Sequence, residues 1–373
     1  MQNTSRSFNS DAIKVMIVDD SLFIRGSIIK ILQGHHEIEI VMTTNSGEAA
    51  LAYIKRFKVD VLLLDIKMPD IDGITLLPKL LNVDPYLRII MVSSLTKQYA
   101  PIAIQALSMG AADYIEKPSA TNNNSIEIFK ELLLTKIKTL GYYVKHITKL
   151  TPNVFVSSKT NESINLDTLT IKHISNVPKA IAIASSTGGP QALQMLFSNF
   201  VHNNILHLVP VFITQHMPAT FTSFLATHLE NIIKLPCIEV NEAKIVEPGT
   251  VYLAPGDFHM VVYRKSENLV ININQDPPKN YCRPSADLMI NSLVEIYGSN
   301  LLLIILTGMG KDGLEGATHL VQKGGQVIVQ DEKSSIVWGM PGAVVNAGLC
   351  STVLPINDMA SYITNIFNSK GFY

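Results

Sequence analysis

The chain has 373 residues, 47 % of them apolar and 16 % charged, and its 30 basic and 31 acidic side chains leave a formal charge of −1. That length suits two or three domains of roughly 150 residues, and the even charge argues against a nucleic-acid binder working through an overall basic surface. The longest apolar run, Leu301–Leu306, is far short of the roughly 18 residues a membrane span needs, and three scattered cysteines (Cys237, Cys282, Cys350) make neither a disulfide framework nor a CxxC metal site. The polar start MQNTSRSFNSD has no signal-peptide pattern. Residues 1–13 are therefore expected to be a disordered tail, and the protein to be cytoplasmic.

Short β-branched or Leu-rich runs follow at Lys14–Val18, Glu37–Thr43, Val59–Leu64, Arg88–Val92 and Asp113–Glu116. Helical periods lie between and after them at Leu22–Leu32, Ser46–Phe57, Ile74–Leu81, Ala100–Met109 and Ile126–Leu140, with Ser46 as an N-cap. Five strand–helix alternations predict a parallel sheet covered on both faces. Ligands of such sheets bind beyond the carboxyl ends of the strands. There the sequence sets Asp19 and Asp20, Asp65, Ser93 and Ser94, and Lys117-Pro118. Three converging carboxylates repel one another unless a cation lies among them. Hard oxygen ligands suit Mg²⁺, which keeps waters and leaves room for a phosphoryl group. A carboxylate can accept that group, with the Ser93 hydroxyl and the Lys117 ammonium holding its oxygens.

VMIVDDS, LLLDIKMPDIDG, MVSS and YIEKP resemble the response-regulator receiver domain, a flavodoxin-like fold. The resemblance implies that Asp65 is phosphorylated, that Asp19, Asp20 and Asp65 bind Mg²⁺, and that Ser93 and Lys117 sense the phosphoryl group. The receiver is expected over 14–133 and a linker rich in Asn, Ser, Thr and Lys over 134–177, ahead of a second module, 178–373.

That module opens with a strand, Lys179–Ala184, then SSTGGP and a helix through Phe200. A strand–Ser–Gly–helix turn exposes a hydroxyl beside a helix start whose N–H groups can stabilise an oxyanion. It approaches the G-x-S-x-G elbow, with Ala184 in the first glycine position. The competing reading is a Ser/Thr helix cap. A second strand, Val209–Thr214, ends in Gln215-His216-Met217-Pro218 before a capped helix near Thr220. Of six histidines here (His202, His207, His216, His228, His259, His319), His216 alone follows a strand's carboxyl end. Without HExxH or a Cys/His cluster in sequence, zinc catalysis is not expected. Leu301–Leu306 runs into TGMGKDG and Gln326–Gln330 into Asp331, so Asp312 and Asp331 compete to orient His216. Ser186, His216 and an acid would make nucleophile, base and orienter. Residues 177–373 show no helix-turn-helix or basic face for a DNA-binding output.

ASSTGGP, ITQHMP, YLAPGDFHM, YCRPSADLM, ILTGMGKDG and WGMPGAV resemble the catalytic domain of the chemotaxis protein-glutamate methylesterases, the CheB family. The resemblance implies a doubly wound α/β domain with a mostly parallel sheet. It assigns the acid to Asp312 and part of the oxyanion hole to the Met309 N–H. The implied reactions are hydrolysis of glutamate 5-methyl esters on chemoreceptor cytoplasmic regions, with methanol released, and deamidation of receptor glutamines; the esterase needs no cofactor. A chemotaxis histidine kinase is the implied phosphodonor, with no nucleic acid and no membrane insertion. The unphosphorylated receiver is expected to cover the Ser186 crevice.

Overall fold

The computed structural model describes residues 11–93, 100–118, 123–150, 177–201 and 204–368. Ser94, His202, the tail before residue 11 and linker residues 151–176 lie outside this set. The described residues form two compact units, one up to Leu150 and one from Val177.

In the first unit the order is β1 (Ile13–Val18), α1 (Leu22–Leu32), β2 (Ile38–Thr44), α2 (Gly47–Ile54), β3 (Val61–Asp65), α3 (Gly73–Val83), β4 (Arg88–Ser93), α4 (Ala100–Ser108), β5 (Asp113–Glu116) and α5 (Asn123–Leu150). All strands are parallel, in the order β2-β1-β3-β4-β5. Strands β3 and β4 are buried at every position, as the unbroken apolar runs of a two-sided sheet require. Ser46 does cap α2, accepting from the Ala49 N–H at 3.3 Å.

Helix α5 departs from expectation. The sequence ended it at Leu140 and began a linker at 134, yet 134–150 is helical. Leu133, Ile137, Leu140 and Val144 form one buried stripe at helical spacing. Gly141 sits against β1: a Cβ there would lie 2.3 Å from Ile13 Cγ2. The tail likewise ends early, because Ala12 and Ile13 are already buried.

The second unit continues with β6 (Ala180–Ser185), α6 (Gly189–Ser198), α7 (Ile205–Leu208), β7 (Val211–Gln215), α8 (Ala219–Ile233), β8 (Cys237–Glu239), β9 (Lys244–Ile245), β10 (Val251–Leu253), β11 (His259–Lys265) and β12 (Asn268–Asn274). It closes with α9 (Ala286–Tyr297), β13 (Leu301–Ile305), α10 (Leu314–Gln322), β14 (Gln326–Gln330), α11 (Gly339–Asn346), β15 (Thr352–Leu354) and α12 (Ile356–Asn368). Seven parallel strands run β15-β14-β13-β6-β7-β10-β8. The chain winds outward from β6 through β7, then returns to β13 on the other flank of β6, so strand order reverses between β6 and β13. A small antiparallel sheet, β11-β12-β9, was not anticipated from sequence. Nor is α8 side-chain capped: it starts behind Pro218 with no side-chain cap bond.

Candidate active site

At the carboxyl edge of the first sheet, β1 delivers Asp19 and Asp20, β3 Asp65, β4 Ser93, and the turn after β5 Lys117. Asp19 and Asp65 are buried and Asp20 is exposed, and one oxygen of each lies within 4.8 Å of the others. The Lys117 ammonium stands 2.8 Å from both Asp19 Oδ2 and Asp65 Oδ2. Burial raises the Asp65 pKa; Lys117 opposes that rise and the Asp19 charge adds to it. Although ion-paired, Asp19 Oδ2 is buried without a hydrogen bond of good geometry. A clustered carboxylate set with an under-satisfied oxygen fits a hard divalent cation. Gly73 packs on this edge, since a Cβ there would lie 2.2 Å from the Asp65 carbonyl oxygen. Buried Ser93 accepts the Lys117 N–H through its carbonyl at 2.9 Å.

In the second unit the β6–β7 register pairs Ser185 with Gln215, so Ser186 and His216 leave neighbouring strands side by side. Adjacent strands lie about 4.8 Å apart. Buried Gln215 ties the two exits together. It accepts from Ser185 Oγ at 2.6 Å and donates to the carbonyls of Ser186 at 2.9 Å and His216 at 3.1 Å. Ser186 is not a helix cap. Gly188, at φ 78°, occupies the N-cap of α6 with no side-chain bond, and a Cβ on Gly189 would fall 1.9 Å from Gln215 Oε1. The glycines therefore serve a close backbone approach. Gly308 presses on the serine from β13's loop, where a Cβ would lie 2.9 Å from Ser186 Cβ. Half-buried Met309 follows it.

Asp312, and not Asp331, meets the imidazole: His216 Nε2 donates to Asp312 Oδ2 at 2.8 Å. Asp331 instead accepts the Ser334 N–H at 3.0 Å in a local turn. Four further donors surround Asp312. Oδ2 accepts the Ala286 N–H at 2.6 Å, and Oδ1 accepts from Ser285 Oγ at 2.9 Å, the Asp287 N–H at 3.2 Å and Asn280 Nδ2 at 3.2 Å. Burial acts to raise the Asp312 pKa, but His216 and these donors hold it well below the usual carboxylate range. For His216, burial acts downward and is overridden by Asp312, then by Cys282, which together raise the ring to about 9. The Asp287 carboxyl returns the favour to the loop. It accepts the N–H groups of Gly313 at 3.0 Å and Gly316 at 2.8 Å, and Asn280 Nδ2 at 2.8 Å. Burial, with Asp312 close by, raises its pKa.

The other ring nitrogen, His216 Nδ1, lies 3.7 Å from Cys282 Sγ. Among the described residues no hydrogen bond joins the Ser186 hydroxyl to the ring. Sequence reasoning did not single out Gln215, Asn280, Cys282, Ser285, Asp287 or Thr307. Thr307 fixes the serine turn, its carbonyl accepting the Ser186 N–H at 3.0 Å and its hydroxyl donating to the Thr187 carbonyl at 3.0 Å. Of the other histidines, buried His259 braces this cluster from outside by accepting the N–H of Ser285 at 3.1 Å, and His228 meets Gln194 Oε1 at 2.9 Å.

An acid edge closed by a lysine on a flavodoxin-like sheet defines a receiver module, and its union with a second α/β unit makes this a response regulator whose output domain has a hydrolase's acid–imidazole geometry. Residues 15–127 match the family described as response regulator receiver domain, and residues 181–363 the family described as CheB methylesterase. A protein-glutamate methylesterase/protein-glutamine glutaminase of Paramagnetospirillum magneticum is 43 % identical over 370 residues, covering 96 % of this chain and 97 % of the relative. One from Azospirillum brasilense is 43 % identical over 366 residues, covering 95 % and 92 %. The Thermotoga maritima CheB methylesterase catalytic domain, a crystal structure, is 35 % identical and covers 51 % of this chain and all of its own, with a TM-score of 0.49. The chain belongs to the CheB methylesterase family.

Proposed function

We propose that this protein hydrolyses glutamate 5-methyl esters on chemoreceptor cytoplasmic regions and deamidates receptor glutamines, with Ser186, His216 and Asp312 as nucleophile, base and orienter. The observation that carries this reading is the pair of buried Asp312 and half-buried His216, set beside Ser186 by strand register. With the Nε2 proton committed to Asp312, Nδ1 is the basic nitrogen. It takes the Ser186 proton as the hydroxyl oxygen attacks the ester carbonyl. The tetrahedral oxyanion meets backbone N–H groups at the α6 start and at Met309, against which Gly308 brings the chain close. His216 then gives its proton to the leaving methoxide, and methanol departs. A water that His216 activates releases the glutamate carboxylate and restores Ser186. With glutamine, ammonia leaves in place of methanol.

Asp65 accepts a phosphoryl group from a chemotaxis histidine kinase and thereby raises the esterase rate. Asp19, Asp20 and Asp65 would hold Mg²⁺, which neutralises the charge of the incoming phosphoryl oxygens. Ser93 and Lys117 then engage that group, the ammonium exchanging a carboxylate partner for it. Among the described residues no helix is long and apolar enough to cross a membrane, and the protein works in the cytoplasm where its receptor substrate is exposed. Methanol release from a methylated receptor fragment tests the triad. Ser186→Ala should abolish release while far-ultraviolet circular dichroism stays unchanged, and turnover near the wild-type rate would remove Ser186 from the mechanism.

A further inference from the structure

We propose that His216 and Cys282 form an inhibitory site for a thiophilic divalent cation of the zinc class, with Asp312 fixing the imidazole from behind. His216, Cys282 and Asp312 each bring a ligand-type atom within 4.8 Å of the others. A tetrahedral zinc with Zn–N of about 2.05 Å and Zn–S of about 2.3 Å separates its nitrogen and sulfur by about 3.6 Å. His216 Nδ1 and Cys282 Sγ already stand 3.7 Å apart. On the far side, Nε2 donates to Asp312 at 2.8 Å, the carboxylate–histidine arrangement that orients metal-binding imidazoles.

The thiol is held in place by its backbone. Lys279 and Cys282 exchange backbone hydrogen bonds at 3.1 and 2.8 Å around Asn280 and Tyr281, both left-handed at φ 53° and 62°. The Asn280 side chain anchors that turn to Asp287 and Asp312. Cys282 is half-buried and so open to a solvated ion, whereas Cys237 is buried and its thiol is pushed up to about 12 by burial. The donor chemistry also differs from that of the receiver: nitrogen and sulfur select zinc or cadmium, and the all-carboxylate set selects magnesium. On binding, Cys282 loses its thiol proton to solvent, His216 when charged releases its Nδ1 proton to solvent as well, and the Nδ1 lone pair then fills a metal orbital, with no change in oxidation state. The nitrogen needed to deprotonate Ser186 is then occupied. Inhibition rests on His216 being the base; metal binding does not.

Full-length protein in excess Mg²⁺, which keeps the receiver carboxylates filled, provides the test. Cadmium should give a thiolate charge-transfer absorbance saturating at one equivalent, lost in Cys282→Ser and in Cys282→Ala but kept in Cys237→Ser and Cys350→Ser. Zinc should suppress methanol release, and chelator should restore it. With each protein normalised to its own metal-free rate, the Cys282 variants should need at least the roughly 10–100-fold more zinc that loss of even an outer partner costs. An absorbance that survives both Cys282 variants, or equal zinc sensitivity in them, overturns the site. Cadmium captured by Cys282 with the esterase undiminished overturns the role of His216 as base and with it the inhibition.

Discussion

Asp312→Asn separates the acid's two duties, orienting the ring and tuning its basicity. Every partner of Asp312 is a donor: three point at Oδ1 and two, the Ala286 N–H and His216 Nε2, at Oδ2. An asparagine keeps one oxygen, which the three-donor side claims, and turns its amide toward the other two. The imidazole then answers the amide with its Nε2 lone pair and carries its proton on Nδ1, where the base is needed. The same change in a serine-protease triad costs about 10⁴ in kcat, or about 5.4 kcal/mol of barrier. The buried Ala286 N–H, left facing a donor, costs about 1–3 kcal/mol of stability. Removing the carboxylate also removes the main force holding His216 at about 9, leaving Cys282 alone to oppose the downward pull of burial. Methanol release measured from about pH 6 to about pH 10 should therefore show a rate down by about 10⁴ and an acid limb shifted to lower pH. Asp331→Asn should alter neither, because the Asp331 carboxylate accepts from Ser334 in its own turn and the backbone N–H bonds to Leu354 of β15, away from His216. An Asp312→Asn enzyme retaining more than about a tenth of wild-type activity, or an unshifted acid limb, would refute the orienting role.

In the wild type, kcat/KM should climb about tenfold per pH unit toward an inflection near 9, where the ring becomes neutral; a plateau from neutral pH upward would contradict this. A ring raised in the fold above its unfolded value stabilises the protein fully below about 6.5 and loses that contribution as pH rises through about 9. The stability gap between wild type and Asp312→Asn in denaturant titrations should therefore shrink as pH rises through about 9, down to about 1–3 kcal/mol left by the unpaired Ala286 N–H. Gly189→Ala should lower stability by about 1–3 kcal/mol and abolish turnover, because its Cβ displaces Gln215 and with it both strand exits; a wild-type melting temperature would show that the turn yields. Asp65→Asn should leave basal methanol release intact and prevent its increase on adding a small-molecule phosphodonor, and persistent activation would move the phosphoacceptor elsewhere.

Much of this was legible because parallel strands end in polar residues for a reason. Asp19, Asp65, Ser186 and His216 each follow an apolar run that can only be a two-sided strand, so period and position pointed to one sheet edge. What stayed hidden was tertiary. The choice between Asp312 and Asp331 turns on which loop faces the start of α9, and both acids follow a strand of similar composition. Asn280, Ser285 and Asp287 lie far along the chain from Asp312, and nothing local marks them as its donors. Cys282 sat within a recognised motif, yet its distance from His216 depends on a tight turn of two left-handed non-glycine residues. Helix α5 was ended at Leu140, although the next residue, Gly141, lets the helix lie close against Ile13 and continues it.

Asp287 and Asp312 each seat a carboxylate against the other's neighbourhood: Asp312 receives the first N–H groups of α9, and Asp287, one residue into α9, receives those of Gly313 and Gly316 where α10 begins. The two helices are thus interlocked like crossed bolts, and neither can slide along its axis without dragging the acid that aligns His216. The general base consequently has no private looseness. Heat or denaturant that frees α9 frees the acid in the same event, so loss of esterase activity and cooperative melting of this unit should trace one curve.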